Sequence, residues 1–439
     1  MIVTTGRQAG SYSSGHSFNN DLSRWKPEIT RQAMKRETSK SNHILRNSLE
    51  LPCGAILKNR IAKSPMSDSL ANGEGDPTEA QIRLYERWAE GGVGLSIIGE
   101  VQGDPRFPEK PGNLVLNSQT NQQAIQSLAS RAVIEGAHLW PQLGHAGALS
   151  HLPISQPKGP SALDVEGLRC AGMSIDEIRE LPPMYARTAL YAKTTGFSGV
   201  YIHAGHGFLL SQFLSPLFNR RSDGYGGSTG ARCRIVLEVL SEVRRAVGPS
   251  FPVGIRINST DQLEGGLTED DALEVVRLLD QTSIDLIDIS GGTYFPGAKA
   301  SSDGSGKGPY FLDFTRRAKG VTKVPLMATG GFKKREQAVD AVASGAVDVV
   351  GLARAMVLDP RLAEVWLTKQ GGDPDFPRFQ SAPPGGITAW YTMRLTALGE
   401  DRENAFTLDL PSAIRIYEER DALRCIKWRE KFFHPLSED

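Results

Sequence analysis

Residues 199–227 read GVYIHAGHGFLLSQFLSPLFNRRSDGYGG, and this stretch joins a strand to a candidate site. The apolar run GVYI is typical of a buried strand, and it leads into two histidines, His203 and His206. A long polar loop rich in glycine follows. Two imidazoles at the end of a strand can hold an anionic or carbonyl oxygen. Phe208 lies two residues beyond the second histidine, and we expect that position to affect the chemistry of the site.

The same kind of strand recurs along the chain and alternates with amphipathic helices. Eight segments are predicted to be strands: 60–65, 95–99, 138–143, 199–203, 253–257, 285–290, 325–329 and 347–351. Helical periodicity lies between most of them, at 78–90, 119–136, 175–195, 229–247, 268–281 and 334–344. This alternation predicts an α/β protein with a parallel sheet. Eight units within about 300 residues predict a closed (β/α)8 TIM barrel rather than an open sheet.

The chain divides into three regions by composition. Residues 1–45 form a polar N-terminal extension without periodicity, which we expect to be disordered or to wrap the surface. Residues 46–375 are predicted to form the barrel. Residues 376–439 are predicted to form a helical C-terminal tail, with a Pro/Gly break at 383–386. The tail is expected to pack on the barrel or on another subunit, and the second arrangement would make a homo-oligomer.

Composition argues against several classes of protein. The 439 residues contain 50 Lys plus Arg and 50 Asp plus Glu, and this balance argues against a nucleic-acid or membrane-surface partner. No apolar run is long enough to predict a transmembrane helix. The four cysteines lack metal-ligand spacing, so no metal site is predicted, and scattered thiols indicate a reduced, cytoplasmic protein. No G-x-G-x-x-G follows a strand, so a Rossmann domain is not supported.

Glycines and an arginine follow the last two predicted strands. Gly330 and Gly331 come after the seventh strand, and Gly351 and Arg354 come at the end of the eighth. Ligands of such barrels bind at the carboxyl ends of the strands, and a phosphate requires closely approaching backbone and positive potential. These residues therefore predict a phosphate site. The alternative is that the two adjacent glycines form only a turn.

Two polar side chains lie within or directly after apolar strands. Arg256 lies within VGIRI, where a buried charge must be paired or must face a ligand. A structural salt bridge inside the barrel is therefore the alternative to a ligand contact. Gln142 follows an apolar strand, and an amide suits the donor and acceptor edge of a heteroaromatic ring.

The histidine pair has the spacing HxxH rather than HExxH, which argues against a metalloprotease. A zinc ion would need a third ligand, and no Cys, Asp or Glu lies at a suitable spacing. Two imidazoles that donate to one oxygen are the better account, since they would polarise a carbonyl and stabilise an enolate. The alternative is a pair of histidines that order the core or a loop.

Taken together, these motifs resemble the Old Yellow Enzyme family of FMN-dependent NAD(P)H:flavin oxidoreductases. The resemblance covers most of residues 51–370. It is carried by IHAGHGFLLSQFLSPLFNRRSDGYGGS, FPVGIRINSTDQLEGGLTEDDAL, DISGGTY and GLARAM, with support from LKNRIAKSPM, YERWAEGGVGL and QLGHAG. The segments GNLVL and GEVQ are closest to the branch related to NADH oxidases and 2,4-dienoyl-CoA reductases.

The resemblance implies FMN as cofactor, NAD(P)H as reductant and a small molecule as substrate. His203 and His206 would hold the carbonyl or nitro oxygen of an α,β-unsaturated substrate, whose Cβ would receive hydride from flavin N5. Ser67 would lie near the flavin C4 carbonyl and N5, Gln142 and Arg256 at the pyrimidine edge. The residues implied to bind the cofactor are Ser64, Pro65, Met66, Ser67, Gly99, Gln142, Arg256, Gly330, Gly331, Gly351 and Arg354.

Two departures from the family pattern concern the substrate side of the site. Phe208 stands where the family usually has a tyrosine that gives a proton to Cα, and phenylalanine has no proton to give. His145-Ala146-Gly147-Ala148 stands where the family usually has HxGR, so an arginine is missing. Tyr294, after the sixth strand, is a candidate substitute for the missing donor.

Three functions are compatible with this pattern. The first is an ene-reductase that uses NAD(P)H and takes its proton from water or from another side chain. The second is a flavoenzyme of specialised metabolism that isomerises, desaturates or aromatises its substrate, because a missing acid leaves the enolate longer-lived. The third is a catalytically impaired flavin-binding protein.

Overall fold

The computed structural model describes residues 43–296, 298 and 308–433. Most of the predicted extension, residues 1–42, therefore lies outside the described residues. Its last residues belong to the first described element, a short 3-10 helix at Ile44–Arg46. Leu45 of this helix is buried in the main hydrophobic core, so this core includes a residue that precedes the predicted barrel boundary at residue 46.

Eight parallel strands close into a barrel. In chain order, β1 to β8 are Ile61–Lys63, Leu95–Gln102, His138–Gly144, Val200–Ala204, Val253–Asn258, Leu286–Ser290, Leu326–Thr329 and Val349–Leu352. Each strand pairs with the next one along the chain, and β8 pairs with β1, which closes the sheet. Both the predicted (β/α)8 class and the eight predicted strands are confirmed.

Helices follow the strands and flank the barrel. In chain order, α1 to α13 are Glu79–Glu90, Gln122–Ala132, Ile175–Arg179, Leu181–Thr194, Leu209–Leu214, Thr229–Val247, Glu269–Asp280, Leu312–Lys319, Arg335–Ala343, Arg354–Leu358, Leu362–Thr368, Gly386–Gly399 and Leu410–Phe432. Further 3-10 helices are Ile134–Gly136, Gly147–Leu149, Leu152–Ile154 and Glu403–Ala405, and further short strands are Leu49–Glu50, Ile56–Leu57, Leu114–Val115, Lys158–Gly159, Leu163–Val165 and Leu168–Gly172. None of the described helices has the length and apolar character needed to cross a membrane.

The predicted helix at 175–195 is in fact two helices, α3 and α4. Pro182 and Pro183 are the reason, because proline lacks the backbone N–H that the interior of a helix requires. Both prolines are tolerated in the first turn of α4, where that N–H has no partner within the helix. Helix α2 begins later than predicted because the side chain of Asn121 caps its first turn, accepting the N–H of Ala124.

The C-terminal tail packs on the barrel of its own chain. Helix α12 lies against α1, and Gly399 lies so close to α1 that a Cβ there would be 2.2 Å from the carbonyl oxygen of Ala80. Arg87 of α1 forms an ion pair with Glu403 at 2.5 Å and also donates to the carbonyl of Leu398. Of the two placements expected for the tail, the structure therefore has the one on the barrel.

The tail gives the first testable prediction. We expect Gly399→Ala to lower the free energy of unfolding by about 1–3 kcal/mol, because the added methyl group forces α12 away from α1. Gly230→Ala is the matched control: Gly230 is exposed in the first turn of α6 with nothing within 4 Å of its Cβ position. Thermal unfolding monitored by circular dichroism would compare the two. Equal melting temperatures would contradict the tight α1–α12 contact.

Candidate active site

The inner face of the barrel changes character along its strands. An apolar cluster fills it near the amino ends of the strands and includes Ala62, Trp140, Tyr201, Leu286 and Met327. Successive side chains alternate between the two faces of a strand, so residues two positions further along also face inward. These positions are Ser64, Gln142, His203, Asp288, Thr329 and Gly351, with Gly99 and Arg256 at the equivalent points of β2 and β5. Six of the fourteen predicted site residues thus share one polar layer.

Arg256 forms a buried ion pair with Asp288. This is the salt bridge inside the barrel that was the alternative to a ligand contact. Its Nε and Nη2 atoms donate to Oδ2 of Asp288 at 2.7 and 2.5 Å, and the two side chains are 2% and 0% exposed. Nη2 also donates to Thr329. Nη1 donates to no described residue, so this nitrogen of the guanidinium remains available to a ligand.

Ser64 and Gly351 lie next to this ion pair. The Ser64 hydroxyl is hydrogen-bonded to the hydroxyl of Thr329 at 2.8 Å, and Thr329 donates to Asp288 at 2.9 Å. A Cβ at Gly351 would lie 2.4 Å from Ser64 Oγ and 2.2 Å from Thr329 Oγ1. Ser64 and Gly351 therefore support the polar layer from β1 and β8. The sequence did not identify Asp288 or Thr329, although an aspartate inside the apolar strand LIDIS was a usable signal.

Two buried polar atoms lack a partner where the resemblance places the flavin ring. Ser67 Oγ and Gln142 Nε2 are buried and have no hydrogen-bond partner. Buried polar groups are nearly always satisfied, so each needs a ligand or a water. Ser67 pairs with Gly99 through a backbone bridge, and Gly99 lies so close to Met66 that a Cβ would be 2.1 Å from the Met66 carbonyl oxygen. The donor set fits the carbonyl and nitrogen edge of FMN.

Pro65 and Met66 connect β1 to Ser67. Pro65 is buried, and the half-buried Met66 packs against the main hydrophobic core. Together they provide an apolar surface beside the unpartnered Ser67 hydroxyl, as a flat aromatic ring would require.

The predicted phosphate residues also lie at the carboxyl end of the barrel. Gly330 and Gly331 have φ angles of 129° and 81°, in the region that favours glycine. A Cβ at Gly331 would be 2.1 Å from the carbonyl oxygen of Gly308, so only glycine allows this approach. Arg354 begins α10, and its guanidinium stacks on Tyr391 at 5.5 Å from the ring centroid. It forms no ion pair with any described residue, so its charge is available to an anion.

His203 and His206 lie together at the end of β4, with ring centroids 5.3 Å apart. His206 adopts a left-handed φ of 59°, and this backbone is fixed because its N–H donates to Asn258 Oδ1 at 2.9 Å. Its Nε2 is hydrogen-bonded to Ser290 Oγ at 2.9 Å. Burial, and then the charge of Arg256, lowers the pKa of His206 to about 3.

Burial also lowers the pKa of His203 well below its usual value, with smaller contributions from His206 and Arg256. Both imidazoles are therefore neutral at physiological pH, and each can give one N–H to a hydrogen bond. Among the described residues no group of three His, Cys, Asp or Glu side chains could hold a metal ion. The pair is suited to holding an oxygen without a metal.

Phe208 and Tyr294 form an aromatic wall beside the histidines. The Phe208 ring lies 5.0 Å from the His203 ring and 5.8 Å from the Tyr294 ring. Tyr294 also lies 5.8 Å from the ring of His206, and its N–H donates to the His206 carbonyl oxygen. Phe208 is buried, whereas Tyr294 is 62% exposed. Tyr294 is thus near the histidines, on the solvent side of the wall.

Ala148 belongs to an apolar cluster next to the site. It is 1% exposed and packs with Leu163, Cys170, Phe218 and Phe295. A long charged side chain at this position would have to leave the cluster. The missing arginine of the HxGR pattern is therefore replaced by apolar packing.

Glu100, near the end of β2, is a site residue that sequence reasoning missed. Its Oε1 lies 3.2 Å from Nε2 of His203, and the two side chains are 5% and 1% exposed. The signal was present, since a carboxylate interrupts the apolar strand LSIIGEVQ. The site therefore contains a buried acid in contact with one of its two histidines.

Comparison with known proteins identifies the family of this chain. Residues 53–369 match the sequence model of the NADH:flavin oxidoreductase / NADH oxidase family. The chain is 35% identical to the NADH-dependent flavin oxidoreductase iliE of Hypocrea jecorina (strain QM6a), over 72% of this chain and 86% of that protein. It is 34% identical to iliE of Neonectria sp. (strain DH2) over 72% of this chain, but the match spans only 46% of that longer protein.

Among solved structures, the fold is similar to that of the Old Yellow Enzyme homologue from Zymomonas mobilis. The TM-score is 0.66 at 23% identity, and the match covers 79% of this chain and 98% of that one. This likeness confirms the fold. The predicted cofactor, FMN, and the predicted reductant, NAD(P)H, are those of the matched family. The chain belongs to the NADH:flavin oxidoreductase / NADH oxidase family, the Old Yellow Enzyme family of FMN-dependent oxidoreductases.

Proposed function

We propose that this enzyme reduces the activated double bond of a small α,β-unsaturated carbonyl or nitro compound. The observation that carries the proposal is the pair of neutral imidazoles at the end of β4, the buried His203 and the half-buried His206, with the unpartnered Gln142 on the neighbouring strand β3. The chemistry that FMN supplies when bound is hydride transfer. The chain's own residues hold the cofactor, orient the substrate and manage its proton.

His206 would donate to the substrate oxygen, while the single N–H of the neutral His203 beside it faces Glu100. A neutral imidazole N–H stabilises the charge that grows on a carbonyl oxygen when the double bond accepts a hydride. His206 is oriented for this by Asn258 and Ser290, which fix its backbone and its ring. Preorganised donors of this kind act without reorganising during the reaction, which makes them effective in a buried site.

The cofactor-binding residues would divide the flavin between them. Ser67 and Gln142 would satisfy their free polar atoms on the ring, and Arg256 would offer Nη1 to the pyrimidine edge. Gly330, Gly331 and Arg354 would bind the phosphate. Gly351 and Ser64, in the polar layer of the barrel, would support this site. Pro65, Met66 and Gly99 would form the surface on which the ring lies.

The substrate is expected to be small and largely apolar near its reacting carbon. Phe208 and the exposed ring of Tyr294 form one wall, and the apolar cluster around Ala148 lies behind it. Aromatic walls of this kind bury flat, conjugated molecules well. No arginine at position 148 is available to bind an anionic substituent there.

The second prediction tests the reaction itself. We expect the purified protein to be yellow, to be bleached by NADH or NADPH without oxygen, and to regain its colour when cyclohexenone or maleimide is added. The recolouring would be followed by absorbance and the saturated product by mass spectrometry.

A reduced enzyme that no activated alkene reoxidises would contradict the proposal. If a substrate then reduced the flavin without NAD(P)H, an isomerase or desaturase would be indicated, and a flavin that no donor reduces would indicate an impaired flavin-binding protein.

The third prediction concerns the phosphate. We expect Arg354→Ala to weaken FMN binding by about 10- to 100-fold, because a charge-assisted hydrogen bond contributes about 1.5–3 kcal/mol. FMN fluorescence during titration of the flavin-free protein would measure the affinity. Arg187→Ala is the matched control, since Arg187 is exposed on α4. Unchanged FMN affinity in Arg354→Ala would place the phosphate elsewhere.

A further inference from the structure

Glu100 is directed into the barrel by an irregularity of its strand. The register between β2 and β3 shifts between Ile98 and Val101, and Glu100 has a φ of 44° within that shift. A left-handed conformation costs a residue other than glycine of order 1 kcal/mol or more. Such conformations persist where the surrounding structure enforces them, often at functional sites. The conformation places the Glu100 carboxyl beside His203 rather than in the core behind the strand.

The two oxygens of Glu100 have different surroundings. The backbone N–H of Gly205 donates to Nδ1 of His203 at 3.3 Å, so the hydrogen of this neutral ring is on Nε2. Nε2 then donates to Oε1 of Glu100. The other oxygen, Oε2, is buried and has no hydrogen-bond partner. It lies beside Gly144, where a Cβ would be 2.2 Å away, so the glycine leaves this oxygen its space.

Among the residues that the structure describes, no free positive charge compensates a carboxylate at this place. The groups that face Glu100 are His203, Glu109, Arg256 and the phenols of Tyr185 and Tyr294. Arg256 is already paired with Asp288, and His203 is neutral. Burial, and then the Glu109 carboxylate, raises the pKa of Glu100 well above its usual range, and Arg256 only partly opposes this.

We propose that Glu100 is the acid that protonates the substrate at Cα, in place of the tyrosine that Phe208 replaces. The inference rests on the proposed function. Hydride addition at Cβ leaves an enolate, and its electron pair takes the proton from Oε2 of Glu100: one C–H bond forms and one O–H bond breaks. Glu100 is left as a carboxylate that accepts a hydrogen bond from His203, and water returns the proton.

Glu100 is better placed for this role than Tyr294. Glu100 and Phe208 contact the same imidazole, at 3.2 Å from Nε2 and 5.0 Å from the ring centroid of His203 respectively. Glu100 therefore lies beside the same imidazole as the position at which the family usually has its tyrosine. Tyr294 is 62% exposed and lies on the solvent side of Phe208.

The fourth prediction is that Glu100→Gln slows oxidation of the NADH-reduced enzyme by cyclohexenone on the order of 10²-fold, because a positioned acid is lost. Stopped-flow absorbance would measure this step apart from flavin reduction by NADH. In the wild type the rate should fall as pH rises through the pKa of Glu100, since the acid form is consumed. Glu100→Gln should lack this fall. Glu430→Gln, at an exposed position of α13, is the matched control.

Two further measurements separate an acid from a merely structural residue. Glu100→Gln with Phe208→Tyr should oxidise faster than Glu100→Gln alone, because the phenol restores a donor. Infrared spectra of the oxidised holoenzyme at pH 7 should contain a protonated carboxyl band that Glu100→Gln lacks.

Different outcomes would overturn different conclusions. If cyclohexenone and maleimide fail to oxidise the reduced wild type, the proposed function is wrong. If they oxidise it and Glu100→Gln keeps both its rate and its pH dependence, only the assignment of Glu100 is wrong. Loss of the rate and of its pH dependence in Tyr294→Phe rather than in Glu100→Gln would assign the proton to the phenol instead.

Discussion

The buried ion pair between Arg256 and Asp288 is the interaction on which the rest of the site depends. Removing one partner of such a pair leaves an uncompensated buried charge and costs about 3–5 kcal/mol. The pair joins β5 to β6, and Thr329 extends it to β7 and to Ser64 on β1. Half of the barrel is thus held by one polar network, at the level where the flavin edge is expected.

The same ion pair sets the protonation states around it. Because Asp288 balances the charge of Arg256, the polar layer carries little net charge, and burial then governs its other groups. Burial keeps His203 and His206 neutral, as the lowered pKa of each indicates. It also favours the acid form of Glu100, which has no cation of its own among the described residues. The neutral imidazoles of His203 and His206 and the neutral carboxylic acid of Glu100 therefore have the same cause, which is burial beside a balanced ion pair.

The sequence predicted the barrel and much of its polar layer because both depend on periodicity. Alternating strands and helices predict the closed sheet, and the two-residue alternation along each strand brings Gln142, His203 and Arg256 together. The carboxylate within LSIIGEVQ was a visible signal, but the inward direction of Glu100 could not be predicted, because a register shift and a left-handed φ angle leave no mark in a periodic pattern. The partner of Arg256 was missed for another reason: strand pairing, rather than proximity in sequence, brings Asp288 to it.

The proposed role of Glu100 gives the phenyl ring of Phe208 a consequence besides its lack of an acidic proton. Its ring lies against His203, the residue that binds Oε1 of Glu100. A phenol there would bring a hydroxyl group, which could donate to a carboxylate and so stabilise the charged form of Glu100. A phenyl ring brings only apolar surface, which favours the neutral acid. Phenylalanine at position 208 and the proposed use of a carboxylic acid as proton donor are therefore physically linked, since the first would make the second more effective.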